Sequence, residues 1–441
     1  MKVAVIGAGI SGLACAYELS RPGSACQVSL FEAADYFGGH THTVDVTLDG
    51  VTHGVDTGFL VLNERTYPKL LALFAELGVA TVASDMSFSV TLTDHGLEWA
   101  GSNLNTVFAQ RRNLLRPDFL RMLADILRFN KLATALANQT SRPAEQQEAV
   151  AAFLARERFS QPFRDWYLLP MIGAIWSCPT EQMLAFPIAT LVRFCHNHGL
   201  LQVNDRPQWL TVKGGAREYV RRMLPKLADA RVATPVTAIV RGVHQGKSRV
   251  AVHSALGTEW FEQVVLATHS DQSKRLLLDA SHEESHLLGA ISYAPNRAVL
   301  HTDTSVLPRR RAWSAWNYES RRGMPGEDPQ LCVHYLINRL QPLPFKQAVL
   351  VSLNPIREPR ADCVLREINY SHPVFDAAAV AAQAKLASLQ GVRNTWFCGA
   401  WTGYGFHEDG LKSGLEVAEH LMALAQNGQS ARHGTLETRV A

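Results

Sequence analysis

Short apolar runs rich in Val, Ile, Leu and Phe recur along this chain, each too short for a helix and each closed by a glycine turn or a stretch of helical spacing. Lys2 to Ile6, Gln27 to Phe31, Gln263 to Thr268 and Thr395 to Cys398 read as buried strands, since a strand covered on both faces has no polar side to alternate with. Between them the period changes. Ser11 to Ser20 and Leu411 to about Gln426 read as helices. So does Thr66 to Gly78, where Leu70, Phe74 and Leu77 share a face and Gly78 ends it. Period-two alternation marks strands at 44–48, 87–92, 97–99, 232–239, 249–253, 297–303 and 348–354, with turns at Asp49-Gly50 and Asp94-His95-Gly96. Helices are expected at 149–156, from Gly215 to Leu227 and at 377–389. Strands alternating with helices predict an α/β fold with a parallel sheet.

Two stretches carry a second meaning. From Pro117 to Lys131, Phe119, Met122, Leu123, Ile126 and Leu127 make one stripe opposite Arg121, Asp125 and Arg128. Such a helix either covers a domain or lies on a membrane surface, and covering is the commoner use. Phe163 to Pro179 is the most apolar stretch, interrupted by Pro170 and Gly173, and reads as a buried helix, with the alternative that a few of its aromatics line a pocket. No run of about eighteen uncharged apolar residues occurs, so no bilayer span is expected.

The first strand runs into Gly7-x-Gly9-x-x-Gly12. Gly7 allows a tight turn, Gly9 lets a pyrophosphate approach the backbone, and Gly12 lets the helix pack on the strand. The helix N-terminus then offers free N–H groups at Ile10 and Ser11 to phosphate. The second strand ends in Glu32, twenty residues after Gly12, where a carboxylate can accept both ribose hydroxyls of an adenosine. Strand, glycines, helix, strand and acid in one register predict a dinucleotide site.

At 441 residues the chain has room for two domains. Its net charge of +3 is too mild to suggest nucleic acid. Seven cysteines without paired spacing fit a reducing compartment and no metal cluster. The N-terminal run lacks a basic flank and a cleavage site, so a cytoplasmic protein is expected, at most peripheral at the inner membrane face.

After Glu32 the chain reads Phe37-Gly38-Gly39-His40, then Val55-Asp56-Thr57-Gly58-Phe59. This pattern resembles the FAD-binding half of the flavin-containing amine oxidase and phytoene desaturase superfamily. The far end, Gly399-Ala400-Trp401-Thr402-Gly403 through Gly410 and Leu411, resembles that family's closing strand, loop and helix, which covers the flavin. The resemblance extends along nearly the whole chain, and is strongest to bacterial proteins known as NAD/FAD-binding or amine oxidoreductase-like. It implies FAD and a Rossmann-like FAD-binding domain of the glutathione-reductase type. That domain is assembled from 1–75, 206–295 and 392–426, beside an α+β substrate domain from 76–205 and 296–391 and a disordered tail at 427–441. It further implies cofactor contacts at Ala33, Val236, Ala267 and Thr268. The chain departs from the family at His40 and Ala34, where Arg is usual, and at Ala400, where an acid is usual and for which Glu408 or Asp409 would substitute.

Amine oxidases of this family carry a Lys near the flavin and an aromatic pair framing the amine. The corresponding positions here are Arg297 and His407, the latter flanked by Tyr404 and Phe406. A fixed guanidinium suits an anion or a non-amine better than a neutral amine. The resemblance therefore implies an oxidase or desaturase removing a hydride from a small or lipid-like apolar substrate, acyl or polyene, with the electron acceptor left open. Amine oxidation is the first alternative. A mutase, an isomerase or a flavin-holding partner without net turnover is the second.

Overall fold

Five strands form a parallel sheet in the order Asp229–Arg231, Gln27–Phe31, Lys2–Ile6, Gln263–Leu266 and Thr395–Phe397. In this computed structural model, residues 1–138, 148–176, 183–202, 206–321 and 330–437 are described. The inner strands are mostly apolar because both faces are covered: Val3, Ala4 and Val5 are wholly buried. Helix Ile10–Leu19 lies against this sheet with nine of its ten residues buried. The C-terminal helix, His407–Glu437, packs across it. A three-stranded antiparallel sheet, Val236–His244, Lys247–Ser254 and Gly257–Phe261, completes this half.

The other half is built on a seven-stranded mixed sheet. Its order is Val364–Val374, Ser292–His301, Leu350–Leu353, Gln330–Leu336, Trp316–Arg321, Phe88–Leu92 and Leu97–Ala100. The strands of the parallel sheet all come from 1–75, 206–295 and 392–426. Those of the mixed sheet come from 76–205 and 296–391, save that Ser292–His301 begins four residues early.

Several elements differ from expectation for physical reasons. Helix Pro117–Ala137 buries Phe119 and Met122 completely against the mixed sheet's core. Most of the stripe thus faces inward, with Leu123 and Ile126 partly buried, but Leu127 is exposed, and Arg128 is held by Asp125 at 2.9 Å. Strand Val364–Val374 went unread because it is the sheet's edge: its outer residues, Leu365, Arg366 and Glu367, are exposed and polar or charged in part, so no apolar run marks it. In the buried helical stretch, Pro170 is accommodated by a π-turn over Arg164–Leu168 directly upstream, where its ring would otherwise meet a carbonyl. The last helix starts at His407 rather than Leu411 and continues to Glu437. The stretch expected to be a disordered tail from 427 is therefore helical as far as it is described, since nothing in it, such as a proline, stops the backbone ladder. The expected loop at 137–147 lies outside the described residues from 139 onward.

Candidate active site

A cavity of about 720 Å³ runs from the carboxyl ends of the parallel strands to the face of the mixed sheet. Such a crevice is where α/β sheets bind ligands. Its first end is lined by Gly7, Gly9, Ile10 and Ser11, by Glu32 and Ala33, and by Gly38, Gly39 and His40. Thr57, Gly58, Phe59, Val236, Ala267 and Thr268 line it too, as do Gly399 and Ala400. Gly12, Gly410 and Leu411 stand behind the wall. A Cβ on Gly12 would sit 1.9 Å from the Gly7 carbonyl oxygen, so Gly12 serves helix–strand packing.

Two observations fit this end to a dinucleotide such as FAD. A Cβ built on Gly9 meets nothing within 4 Å, so the turn leaves open space where a pyrophosphate has to sit. Glu32 is fixed with its carboxylate at the strand end: Oε2 accepts the Ala8 N–H at 2.8 Å and Oε1 the Ala34 N–H at 2.9 Å. The oxygens keep lone pairs for ribose hydroxyls. Glu32→Ala is expected to weaken FAD binding by roughly 1.5–3 kcal/mol, the scale of a hydrogen bond to a charged group, as read by flavin-fluorescence titration.

His40 supplies no fixed cation in place of the family's Arg. Its ring stacks on Tyr370 at 4.9 Å and lies 5.3 Å from His372, and its Nε2 is buried without a partner. Burial, then the neighbouring imidazoles of His372 and His269, push its pKa well below the ordinary value and leave it neutral.

Asp56, beside Thr57, is buried while its carboxylate accepts from Thr43 Oγ1, Ala216 N and Gln341 Nε2. Burial outweighs these bonds and raises its pKa from the usual 3.8 to about 7. Asp409 shifts the same way, to about 6. A carboxyl whose folded pKa is raised holds its proton after the unfolded chain has lost it. Stability is therefore greatest at low pH and falls as pH rises through the window from about 4 to 7, by up to ~4 kcal/mol for Asp56. Comparing urea midpoints at about pH 5 and pH 8 should show this loss, and Asp56→Asn should reduce the slope.

At the C-terminal side, Tyr404, Gly405, Phe406 and His407 all line the cavity. The His407 ring stacks on Phe59 at 3.9 Å, and its Nε2 lies 2.8 Å from the Tyr219 hydroxyl. Burial lowers its pKa to about 3, so it is a neutral wall residue. The two acids that follow do not replace the one absent at Ala400. Glu408 accepts the Lys69 and Leu70 N–H groups, at 2.8 and 3.0 Å, and Asp409 accepts those of Tyr404 and Phe406 at 3.1 and 3.0 Å. Both hold backbone, and neither lines the cavity.

Arg297 is not at the site. Its guanidinium is held outside by Glu358 and Glu367, each at 2.8 Å, because its strand turns that position to solvent. Facing the cavity from the neighbouring strands are Val351, Leu353, Trp316 and Tyr335 instead. With Met86, Trp176, Phe194 and Phe375 they make the second end of the cavity. Among the described residues, Glu32 and Arg275 are the only carboxylate and the only lysine or arginine in the lining, and both belong to the dinucleotide half. The residues the sequence reading missed, Tyr370 and His372, alternate along the edge strand. Their period-two spacing was the one available signal.

Comparisons with known proteins agree with this geometry. Residues 10–422 match the family model described as flavin containing amine oxidoreductase. Cyclohexylamine oxidase from Brevibacterium oxydans IH-35A has a similar structure, with a TM-score of 0.66 at 16% identity, covering 96% of this chain and 99% of that one. Putrescine oxidase bound to putrescine gives 0.65 at 17%, with 96% and 99% covered. A CLA-producing fatty acid isomerase from P. acnes gives 0.64 at 15%, with 96% and 98% covered. No protein of curated function matches the sequence.

Proposed function

Because the chain belongs to the flavin-containing amine oxidoreductase family and is an FAD-dependent oxidoreductase, we propose that it takes a hydride from an apolar, acyl- or polyene-like substrate. The observation that carries this reading is the second end of the cavity, where no lysine, arginine or carboxylate stands among the described lining residues. A wall without a charged partner leaves a carboxylate head unpaired, whereas it favours a hydrocarbon through area burial. FAD, when bound, supplies the hydride acceptor. The chain's own part is to hold and orient: Glu32 and the turn at Gly9 fix the nucleotide half. Trp316, Val351 and Leu353 exclude water from the other. His407 and His40, both held neutral, add no charge there.

Anaerobic mixing of FAD-loaded protein with unsaturated acyl lipids, polyenes and amines tests the reading. Bleaching of the flavin by the apolar compounds alone is the expected result, and bleaching by amines alone would overturn it. Arg297→Ala should leave the reduction rate unchanged, since the side chain lies outside the cavity. A second reading, isomerisation of an acyl chain without net oxidation, is favoured by the uncharged lining together with the likeness to the fatty acid isomerase. In that case bleaching would be transient under anaerobic conditions and the substrate would be recovered with its double bonds moved.

A further inference from the structure

Helix Pro117–Ala137 has two apolar faces. One is buried; the other presents Leu120, Ala124 and Leu127 to solvent at spacings of four and three, with Leu127 61% exposed. The turn leading into it, Arg111–Leu115, exposes Leu114 and, at 87%, Leu115. Just before that turn, helix Leu104–Val107 begins with Leu104, 76% exposed, and Arg111 bonds back to Asn105, so the three elements form one surface. Exposed leucines grouped in this way are unusual on a protein surface and mark a contact.

The rim is basic. Residues 101–138 carry six Arg or Lys against two Asp, a surplus of four where the whole chain has three. Of the two acids, Asp125 is turned inward onto Arg128 and Ser160. No ion pair among the described residues engages Arg111, Arg112, Arg121 or Lys131. The adjoining turn Arg310–Ala312, which packs on Ala100 and Ala109, adds Arg310 and Arg311.

We propose that this surface docks on an anionic lipid bilayer, with Leu104, Leu114 and Leu115 entering the headgroup region and the arginines meeting lipid phosphates. Charge complementarity selects this occupant. A second copy of the chain would bring two like-charged rims together, whereas leucines ringed by guanidiniums match a negative, apolar-cored surface. The face is the reverse of the Phe119–Met122 stripe, which is buried. The inference does not rest on the nature of the substrate, and each can fail alone.

Sedimentation of the FAD-loaded protein with vesicles decides it. Vesicles of phosphatidylcholine mixed with phosphatidylglycerol should carry the protein down, pure phosphatidylcholine should not, and added salt should release it. The Leu114→Ser, Leu115→Ser double variant should lower the partition coefficient at least about tenfold, with an unchanged flavin spectrum and unfolding temperature. Arg121→Glu with Arg111→Glu should weaken binding to the anionic vesicles in the same direction. Equal sedimentation of the wild type and the leucine variant, or none with either vesicle, would overturn the proposal. So would a dimer in gel filtration that the leucine variant dissolves while vesicles bind neither protein.

Discussion

Gly9→Val is expected to give a well-folded protein that contains no flavin. The backbone at Gly9 has φ −68° and ψ 178°, an extended conformation that valine adopts readily, so the substitution brings no strain. A Cβ there meets no protein atom within 4 Å, so the fold has nothing to lose. The side chain instead fills the space the turn leaves for a pyrophosphate. The apo-protein's unfolding temperature should thus match that of flavin-stripped wild type, while absorbance near ~450 nm, the mark of isoalloxazine, disappears. Stoichiometric yellow Gly9→Val protein would mean that the pyrophosphate lies elsewhere.

Gly414→Val should also be colourless, for the opposite reason. A Cβ on Gly414 would lie 2.1 Å from the Ser11 carbonyl oxygen, which is backbone and cannot rotate away. One turn earlier, a Cβ on Gly410 would come within 2.8 Å of Ile10 Cγ2. The two glycines, four apart on one helix face, let the C-terminal helix lie directly on the first turn of Ile10–Leu19. Forcing them apart should destabilise even the flavin-free protein by ~3 kcal/mol or more, visible as a lowered urea midpoint. Two glycine variants, equally colourless, would then be separated by stability alone. A Gly414→Val apo-protein as stable as the wild type would show that this crossing is loose.

The dinucleotide half was legible because its signals are local. Strand, glycine turn, helix and Glu32 fall within thirty-two consecutive residues, and Lys2–Ile6 and Gln27–Phe31 appear where the apolar runs stand. The substrate half was not, because its lining is assembled across a sheet whose neighbours are remote in sequence: Trp316 pairs with Phe88, and Val351 with Tyr335 and Leu300. Alternation tells which residues share a face, but not which face looks into a cavity. Arg297 shows the consequence. Its strand was read correctly, yet aligning it with the family put a solvent-facing position at the flavin, and Glu358 and Glu367 hold it there. Asp409 failed differently. The acid was noticed, but its capture by the Tyr404 and Phe406 N–H groups depends on a loop geometry that composition does not announce.

The crossing of Gly414 on Ser11 also bears on how the chain is made. The first element of the nucleotide site leaves the ribosome well before the surface that covers it, which lies about 400 residues downstream. At synthesis rates of ~5–20 residues per second, roughly 20–80 s separate Ser11 from Gly414. Throughout that interval the flank of Ile10–Leu19 that the C-terminal helix covers lacks that partner, and for part of it the edge of strand Gln263–Leu266 waits for Thr395–Phe397. The first turn of the nucleotide site is therefore covered only after the helix that carries Gly414 has been made.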